Sequence, residues 1–368
     1  GSGGESATSQ LGGGAIALIV NQSVVVNGSI LADGADGGTR GGSGGSIYIQ
    51  TANLSGSGLV RARGGGWGGS LGGGGGGRAA LYFNDTFSFN GTLDVSAAYT
   101  LGTNGTSGTA IVMNSVTRDL YLLFNNGPLF QSLQGISLDG TPRYDGVYWF
   151  RNVFIGDSTH SVTIQTNSSA TYSMGGKGVV LMIVGNLTIN ATSSLSANAS
   201  GYAPGYGPGY GGYIGSYGGI GGSGTAPPYG SAFYPFDLGS GGESATSQYG
   251  GGAIAIISND TVTINGTLMA IGADGGTRGG SGGSIYIVAR NLTGNGKISV
   301  RGGGWGGSIG GGGGGRAALY WNTSSFTGQV NVSGAYSTGT SGGDGTLVNT
   351  SFSRNPSIPM PVWPITTV

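Results

Sequence analysis

Apolar and polar residues alternate in short runs along most of this chain. In one such run Val262, Ile264 and Leu268 are apolar, while Thr263 and Asn265 between them are polar. A period of two is typical of β-strands, and none of the runs shows the 3.6-residue period of an amphipathic helix. The pattern therefore predicts strands within residues 15–20, 23–30, 46–50, 78–84, 179–184, 186–197 and 261–268.

One glycine-rich block occurs twice. GSGGESATSQ stands at residues 1–10 and 239–248, GGSGGSIYI at 41–49 and 279–287, RGGGWGGS at 63–70 and 301–308, and GGGGGGRAALY at 72–82 and 310–320. Within each copy, strands and turns recur about every 30 residues. We predict an all-β fold, a glycine-rich parallel β-helix (β-solenoid) with two homologous repeat blocks and an unrepeated β insert. A β-sandwich would have more evenly spaced strands with fewer glycines.

The repeats divide the chain into five predicted parts. They are a first block (residues 1–118), an unrepeated β cap or insert (119–175), an extra coil followed by a Tyr/Gly/Pro loop (176–238), a second block (239–354) and a Pro-rich extended tail (355–368). Packing of the loop tyrosines on the solenoid flank or on a neighbour would order that loop. The tail is a candidate strap across a neighbouring subunit, anchored by Trp363, or else it folds on its own subunit. A chain that opens inside a repeat, without Met or signal peptide, favours a processed piece of a longer precursor.

Strand parity separates a predicted core from a predicted outer surface. Ile16, Leu18 and Val20 are expected to point inward. Asn53 is out of phase with Ile47 on its strand, so a turn or bulge should precede it. The other predicted core residues are Val24, Val26, Leu81, Phe83, Leu187, Ile189, Ile254, Ile256, Ile264 and Leu268.

Acceptor sequences for N-glycosylation, Asn-x-Ser/Thr, occur far more often than chance predicts. They include 16 of the 22 Asn residues, against about four or five expected from the Ser and Thr content. On the strand runs they fall at outward positions, as a glycan requires. Asn in Asn-Gly turns beside abundant Ser and Thr is the alternative explanation. We predict N-glycans, and hence secretion, at Asn21, Asn27, Asn53, Asn84, Asn90, Asn104, Asn167, Asn186, Asn190, Asn198, Asn259, Asn265, Asn291, Asn322, Asn331 and Asn349.

Composition limits the remaining function classes. The 86 glycines lack the every-third spacing of a collagen triple helix. The 14 basic and 14 acidic side chains cancel, which argues against a nucleic-acid partner. No apolar run is long enough to span a membrane. Because the chain has no Cys, backbone pairing must replace disulfides in a secreted protein.

Charged and Trp residues that recur in both copies are candidates for structure or for chemistry. We interpret them as Arg side chains that bind loop carbonyls and the two acids, rather than as a duplicated active site. They are Glu5, Asp36, Arg40, Arg63, Trp67 and Arg78 in the first copy, and Glu243, Asp274, Arg278, Arg301, Trp305 and Arg316 in the second.

Other motifs do not amount to a site. Asp33 and Asp36 hint at a calcium-binding turn, but the second copy has Ile271 in place of Asp33. His160 is the single His, so a histidine metal site is not expected. The one dense polar patch contains Asp139, Arg143, Asp145, Asp157 and His160. A carboxylate pair of glycosidase type cannot be derived from it, and we predict no catalytic, cofactor or metal residues and no enzymatic activity.

The recurring motifs also carry a resemblance. GGSGGSIYI, a Leu-x-Gly-x-Gly segment at residues 54–58 and 292–296, RGGGWGG and GGGGGGRAALY resemble the Gly-rich repeats of large secreted β-helix surface proteins of eukaryotic microbes. The resemblance covers roughly residues 1–118 and 239–354. It implies a parallel β-helix in a cell-surface or extracellular filament protein, and it supplies no catalytic residues.

Taken together, these features predict a structural glycoprotein subunit of an extracellular filament or cell-surface coat. Its partners would be copies of itself, joined head to tail. An adhesin-like β-helix is the alternative, with the tyrosine loop or Trp67 and Trp305 contacting carbohydrate or another partner. A polysaccharide-active β-helix enzyme is a more remote alternative.

Overall fold

The structure is a computed structural model. It describes residues 1–4, 10–36, 39–66, 71–124, 127, 129–131, 135–137, 139, 141–143, 145–167, 178–243, 248–274, 277–304 and 309–352. These residues form strands, turns and bends, and no helix occurs among them. Glu5, Trp67, Trp305, the tail beyond residue 352 and the side chains of Arg143 and Asn167 lie outside the described part of the chain.

The strands follow the runs that the alternation predicts. The first copy contains β1 (Ala15–Ile19), β2 (Ser23–Val25), β3 (Ser29–Leu31), β4 (Ser46–Gly56), β5 (Leu59–Arg61), β6 (Arg78–Phe89), β7 (Thr92–Asp94) and β8 (Thr109–Asn114). The middle contains β9 (Leu120–Leu122), β10 (Phe130–Gln131), β11 (Gly135–Ile136), β12 (Pro142–Arg143), β13 (Val147–Phe150), β14 (Val153–Ile155), β15 (Thr163–Asn167), β16 (Val179–Ile183), β17 (Leu187–Ile189), β18 (Ser194–Ser196), β19 (Tyr210–Gly211) and β20 (Ile214–Gly215). The second copy contains β21 (Ala253–Ser258), β22 (Thr261–Ile264), β23 (Thr267–Met269), β24 (Ser284–Thr293), β25 (Lys297–Ser299), β26 (Arg316–Ser324), β27 (Gln329–Asn331) and β28 (Thr346–Ser351).

Parallel pairing stacks these strands as a β-solenoid of about nine coils, which confirms the predicted fold class. The chain divides into two compact units, Gly1–Leu129 with Val153–Ile164, and Phe130–Asn152 with Gln165–Val368. In the first unit, parallel sheets run through β1, β4, β6 and β8 and through β3, β5 and β7. Ala15 pairs with Ser46 and Ser46 with Arg78, so these coils are 31 and 32 residues long.

The second unit repeats this arrangement. One parallel sheet runs through β13, β16, β21, β24, β26 and β28, and another through β18, β23, β25 and β27. Ala253 pairs with Ser284 and Ser284 with Arg316, again 31 and 32 residues apart. Val179 pairs with Ile254, 75 residues on, because that coil also holds the Tyr/Gly/Pro loop.

The interior consists of ladders of aliphatic side chains at equivalent positions of successive coils. In the second unit Leu181, Ile256, Ile287 and Leu319 lie in one such ladder, and all four are fully buried. Strand spacing of about 4.8 Å brings stacked side chains into van der Waals contact. Each buried aliphatic side chain stabilises the fold by about 1.5–3 kcal/mol. The core therefore grows with every coil added.

Most of the predicted core is confirmed, with corrections in the first coil. Nine of the ten residues predicted to be buried besides Ile16, Leu18 and Val20 are buried, and Val24 is only half-buried. Ile16 and Leu18 are also half-buried, and the prediction that Val20 points inward is wrong, because that side chain is exposed. Among the described residues, the strand that pairs with β1 is β4, so its coil is covered from one side only.

The irregularity predicted before Asn53 is present. Thr51 pairs with Phe83, but Asn53 pairs with Thr86, so β6 carries one extra residue and the register shifts. Burial changes phase at the same place, since Thr51 and Leu54 are both buried. This is the geometry of a β-bulge. The second copy lacks the extra residue, and the register between β24 and β26 is continuous.

Glycine runs form the turns where neighbouring coils approach most closely. A Cβ atom on Gly283 would lie 1.9 Å from the carbonyl oxygen of Gly252, and one on Gly315 would lie 2.1 Å from that of Gly283. No other residue fits so close to a neighbouring backbone. The glycine runs are therefore a structural requirement of stacking.

Candidate binding face and glycan-acceptor sites

Residues 201–238, which we call the tyrosine segment, lie against the glycine-rich turns of the second copy. Main-chain hydrogen bonds hold the segment there. The amide of Gly218 donates to the carbonyl of Gly314 at 2.9 Å, and the amide of Gly313 donates to the carbonyl of Gly215 at 3.0 Å. The amide of Gly222 likewise donates to a turn carbonyl. Of the two predicted supports for this loop, the solenoid flank or a neighbour, the structure shows the solenoid flank.

Tyr217 is the central buried residue of the segment. Its side chain has no exposed surface, and its hydroxyl lies 2.7 Å from the Ser284 hydroxyl on β24. The Tyr229 ring packs on it with a centroid distance of 4.8 Å. Burial raises the pKa of both tyrosine hydroxyls above their ordinary value, so both stay protonated at a pH at which an exposed tyrosine ionises.

Arg316, at the start of β26, binds the main chain of the tyrosine segment. Its Nε and Nη2 atoms donate to the carbonyl oxygen of Tyr229 at 3.0 and 2.8 Å, and Nη1 donates to Thr346 Oγ1 at 3.1 Å. Its guanidinium carbon also lies 5.3 Å from the centroid of the Tyr217 ring, within cation–π range. Only 7% of the Arg316 surface is exposed, and its buried guanidinium finds an acceptor in the partly buried carbonyl of Tyr229.

Serine and aromatic side chains complete the contact. Ser240 Oγ accepts a hydrogen bond from the amide of Gly209 at 2.8 Å and lies 3.0 Å from the Tyr229 hydroxyl. Tyr286 on β24 is 1% exposed because the Phe236 ring packs on it edge to face at 4.8 Å. We call Ser240, Ser284, Tyr286, Gly310, Gly313 and Arg316 the second-copy face.

In the described part of its unit, the first copy presents the same residues without such a cover. The corresponding residues are Ser2, Ser46, Tyr48, Gly72, Gly75 and Arg78, which we call the first-copy face. The side chains of Ser2, Ser46 and Arg78 are exposed, and Tyr48 is 36% exposed. The Tyr48 hydroxyl bonds instead to Gln50 Oε1 on its own strand, at 2.7 Å.

None of the fifteen glycan-acceptor Asn residues whose side chains are described is buried. The exposed ones are Asn21, Asn27, Asn84, Asn90, Asn104, Asn198, Asn259, Asn322 and Asn349. The half-buried ones are Asn53, Asn186, Asn190, Asn265, Asn291 and Asn331. Asn167 ends β15, and its side chain is outside the described part. Every described acceptor side chain therefore retains some exposed surface.

Recurrent charged residues form matching ion pairs in the two copies. Arg63 contacts the Asp36 carboxylate at 2.5 Å, and Arg301 pairs with Asp274 at the equivalent place. Arg278 also pairs with Glu243 at 2.7 Å. These pairs join one glycine-rich turn to another, as predicted. The carbonyl that Arg316 binds belongs to the tyrosine segment, a contact that sequence reasoning missed.

The candidate calcium turn is occupied by arginine. Arg61 Nη2 lies 2.7 Å from Asp33 Oδ2, and the backbone amide of Arg63 donates to Asp33 Oδ1 at 3.0 Å. Asp36 is paired with Arg63 as well. In the part of the chain that the structure describes, no group of three or more His, Cys, Asp or Glu side chains could hold a metal ion.

Three acidic residues of the unrepeated middle region accept hydrogen bonds from backbone amides in turns. Asp157 accepts hydrogen bonds from the backbone amides of Thr159 and His160, both at 2.7 Å, and lies 3.0 Å from the His160 ring. Burial disfavours its charged form, but these hydrogen bonds outweigh burial and lower the pKa of the Asp157 carboxyl. Asp139 and Asp145 likewise accept from backbone amides two residues on. An ionised turn-capping carboxylate is not suited to donate a proton in catalysis.

Comparison with protein-family models, with curated proteins and with solved structures found no match. Among the described residues, no helix has the length and apolar character to cross a membrane. The resemblance to secreted β-helix surface proteins therefore stays a prediction from the motifs.

Alkaline pH should release the tyrosine segment. The pKa of Tyr217 and of Tyr229 is raised in the fold, so the stability they contribute is complete below the ordinary tyrosine pKa of about 10 and is lost as pH rises through the higher folded values. We expect the segment to become sensitive to a protease stable at high pH as the buried tyrosines ionise. Tyr217→Phe, which cannot ionise, should weaken this pH dependence. A segment still protected after all tyrosines have ionised would contradict the prediction.

Proposed function

We propose that this protein is a secreted, N-glycosylated structural subunit of an extracellular filament or cell-surface coat, in which copies join head to tail. Three features support the proposal. Each unit is a stack of coils with an aliphatic core, the recurrent Arg63 and Arg301 pair with Asp36 and Asp274, and none of the described glycan-acceptor Asn residues is buried. In the middle region, Asp139, Asp145 and Asp157 accept hydrogen bonds from backbone amides in turns.

The observation that carries the proposal is the apolar surface of the first coil. Ile16, Leu18, Val24 and Ile30 point inward but are only half-buried, whereas the equivalent residues of the second copy are buried. All four lie on β1, β2 and β3. Inward apolar side chains that are covered from one side only are typical of a solenoid end that another molecule covers.

The partner surface that we propose is the last described coil of a second copy. Its strand β28 pairs with β26 and leaves Leu347 44% exposed. Because the two coils present different residues, their contact is heterologous. Heterologous contacts that do not close into a ring produce filaments.

Negative-stain electron microscopy of the full chain, secreted from a eukaryotic host, tests the assembly. The wild type should form filaments, and Val24→Lys should leave single particles because it places a charge in the apolar contact. Val116→Lys is the matched control, since Val116 is 69% exposed outside the first coil and its variant should still polymerise. Single wild-type particles, or filaments that survive Val24→Lys, would overturn the head-to-tail contact.

An adhesin-like role is the second candidate, because the outer side of the tyrosine segment exposes aromatic rings. Tyr213 is 56% exposed, Phe233 60% and Tyr234 47%. Exposed aromatic rings suit the apolar faces of sugars. A monomeric wild type that binds glycan-coated surfaces, and loses that binding in Tyr213→Ala, would favour this role over the filament.

Glycopeptide mass spectrometry of the secreted protein tests the glycan prediction. We expect sugar at most acceptor sites, including Asn27, Asn186, Asn190 and Asn265. Asn291 should show the lowest glycan occupancy. Its Nδ2 atom donates to Thr261 Oγ1 at 3.2 Å, and a glycan would replace one of the hydrogens on that atom. Unmodified Asn at the first four positions would contradict the secreted glycoprotein.

A further inference from the structure

The two faces have the same residues in opposite environments. Arg316 and Ser284 are buried beneath the tyrosine segment, while their equivalents Arg78 and Ser46 are exposed. A buried guanidinium and a buried serine hydroxyl on the second copy have specific partners in the segment. The first copy retains the same donors with no segment upon them in the described part of its unit.

Glycine positions of the first-copy face leave space that the tyrosine segment fills on the second copy. A Cβ atom on Gly313 would lie 2.1 Å from the carbonyl oxygen of Gly219 in the tyrosine segment, so glycine is required there. At Gly75, the equivalent position, the nearest atom is the carbonyl oxygen of Thr106 at 3.5 Å, an ordinary contact. Nothing described within its own unit requires Gly75 to be glycine.

A second glycine pair shows the same contrast. A Cβ atom on Gly310 would lie 2.3 Å from the Ile214 side chain of the segment, whereas one on Gly72 would meet only the carbonyl oxygen of Thr103, at 4.0 Å. Both glycines of the first copy thus leave room for a backbone at the place where the second copy holds one. The first-copy face has the shape of a site whose occupant is missing.

We propose that the first-copy face binds a Tyr/Gly/Pro-rich polypeptide segment supplied by another chain, in the manner of the tyrosine segment on the second copy. Arg78 would donate to a carbonyl of that segment, as Arg316 does to Tyr229. Ser46 would bond to a buried tyrosine hydroxyl, as Ser284 does to Tyr217. Glycines of the bound segment would pair with the main chain beside Gly75.

The chain's own tyrosine segment does not supply this occupant. That segment is held on the second copy, where Tyr217 is fully buried. The tail at residues 353–368 contains no Tyr and no Gly, so it lacks both the hydroxyl and the glycine backbone that the face fits. The inference is independent of filament formation, since it concerns a face other than the apolar surface of the first coil.

A labelled synthetic peptide with the sequence of residues 201–238 tests the inference on the full chain by fluorescence anisotropy. We expect saturable binding at one site per chain. Gly75→Ala and Arg78→Ala should each weaken it at least tenfold, the first by filling the space for the peptide backbone and the second by removing the carbonyl donor. Gly75→Ala leaves the folded chain intact because its Cβ makes only an ordinary contact, 3.5 Å from the carbonyl oxygen of Thr106.

Three controls make the result decisive. A scrambled peptide of the same composition should not bind, and a peptide carrying Tyr217→Ala and Tyr229→Ala should bind at least tenfold more weakly. Arg290→Ala on the protein, at an exposed position of β24, should leave binding unchanged. Absence of saturable binding, equal binding of the scrambled peptide, or binding that Gly75→Ala and Arg78→Ala do not alter would each overturn the proposal.

Discussion

Arg316→Ala should lower the free energy of unfolding of the tyrosine segment and the turns beneath it by about 3 kcal/mol. The side chain is buried and donates twice to the carbonyl oxygen of Tyr229. Removing it leaves that partly buried carbonyl without its charged donor and removes the cation from the Tyr217 ring. Arg316→Lys should recover only part of the loss, because an ammonium group cannot reproduce the planar fork of the guanidinium.

Protease cleavage within the segment, followed against denaturant, measures this effect locally. A local readout is needed because the chain has two compact units, and one global transition would not be two-state. Arg78→Ala is the matched control. Arg78 is exposed, so its removal should change stability by no more than about 0.5 kcal/mol. Equal effects of the two substitutions would contradict the assignment of Arg316 to the segment.

Gly313→Ala should destabilise the same region by about 1–3 kcal/mol, the cost of overpacking a filled site. The added Cβ would collide with the backbone of Gly219, which has no flexible side chain to move aside. Gly75→Ala should be neutral or should stabilise the first copy by up to about 1 kcal/mol, because alanine restricts the unfolded chain. Neither glycine has a positive φ. The difference in stability between the two variants therefore measures contact with the tyrosine segment and not backbone strain.

The two glycine variants can be compared by thermal unfolding of the full chain together with protease protection of the segment. We expect Gly313→Ala to expose the segment to cleavage at a lower temperature, and Gly75→Ala to leave its protection unchanged. Destabilisation by Gly75→Ala as large as that by Gly313→Ala would mean that the first copy packs more tightly at this position than the structure shows.

Much of the fold could be predicted from local pattern. The alternation of Val262, Thr263 and Ile264 fixes which side chains point inward, because successive residues of a strand face opposite sides. The repeat length then fixes which residues stack, and Ile256 lies over Ile287 as the internal repeats imply. The bulge before Asn53 could also be predicted, since an Asn out of phase with a buried run requires an irregular strand.

Burial within the first coil could not be predicted in the same way. Val24 and Ile264 both alternate with polar neighbours, yet Val24 is half-buried and Ile264 has no exposed surface. Periodicity tells which face of a strand is apolar, but the number of coils that cover that face is a property of the assembled stack. The same limit applies to the candidate site residues. The amides of Thr159 and His160 donate to the Asp157 carboxylate only in the folded turn, so the sequence pattern does not show these hydrogen bonds.

The sequence by itself determined that this protein is a glycine-rich β-solenoid with outward glycan acceptors, because strand parity and coil length are local and repeat along the chain. Only the tertiary structure decided that two nearly identical blocks are different surfaces. Arg78 and Arg316 stand in the same RAALY motif, and one is exposed while the other is buried. The physical reason is that the carbonyl bound by Arg316 comes from Tyr229, 87 residues away in the chain. No pattern within the block records that long-range hydrogen bond.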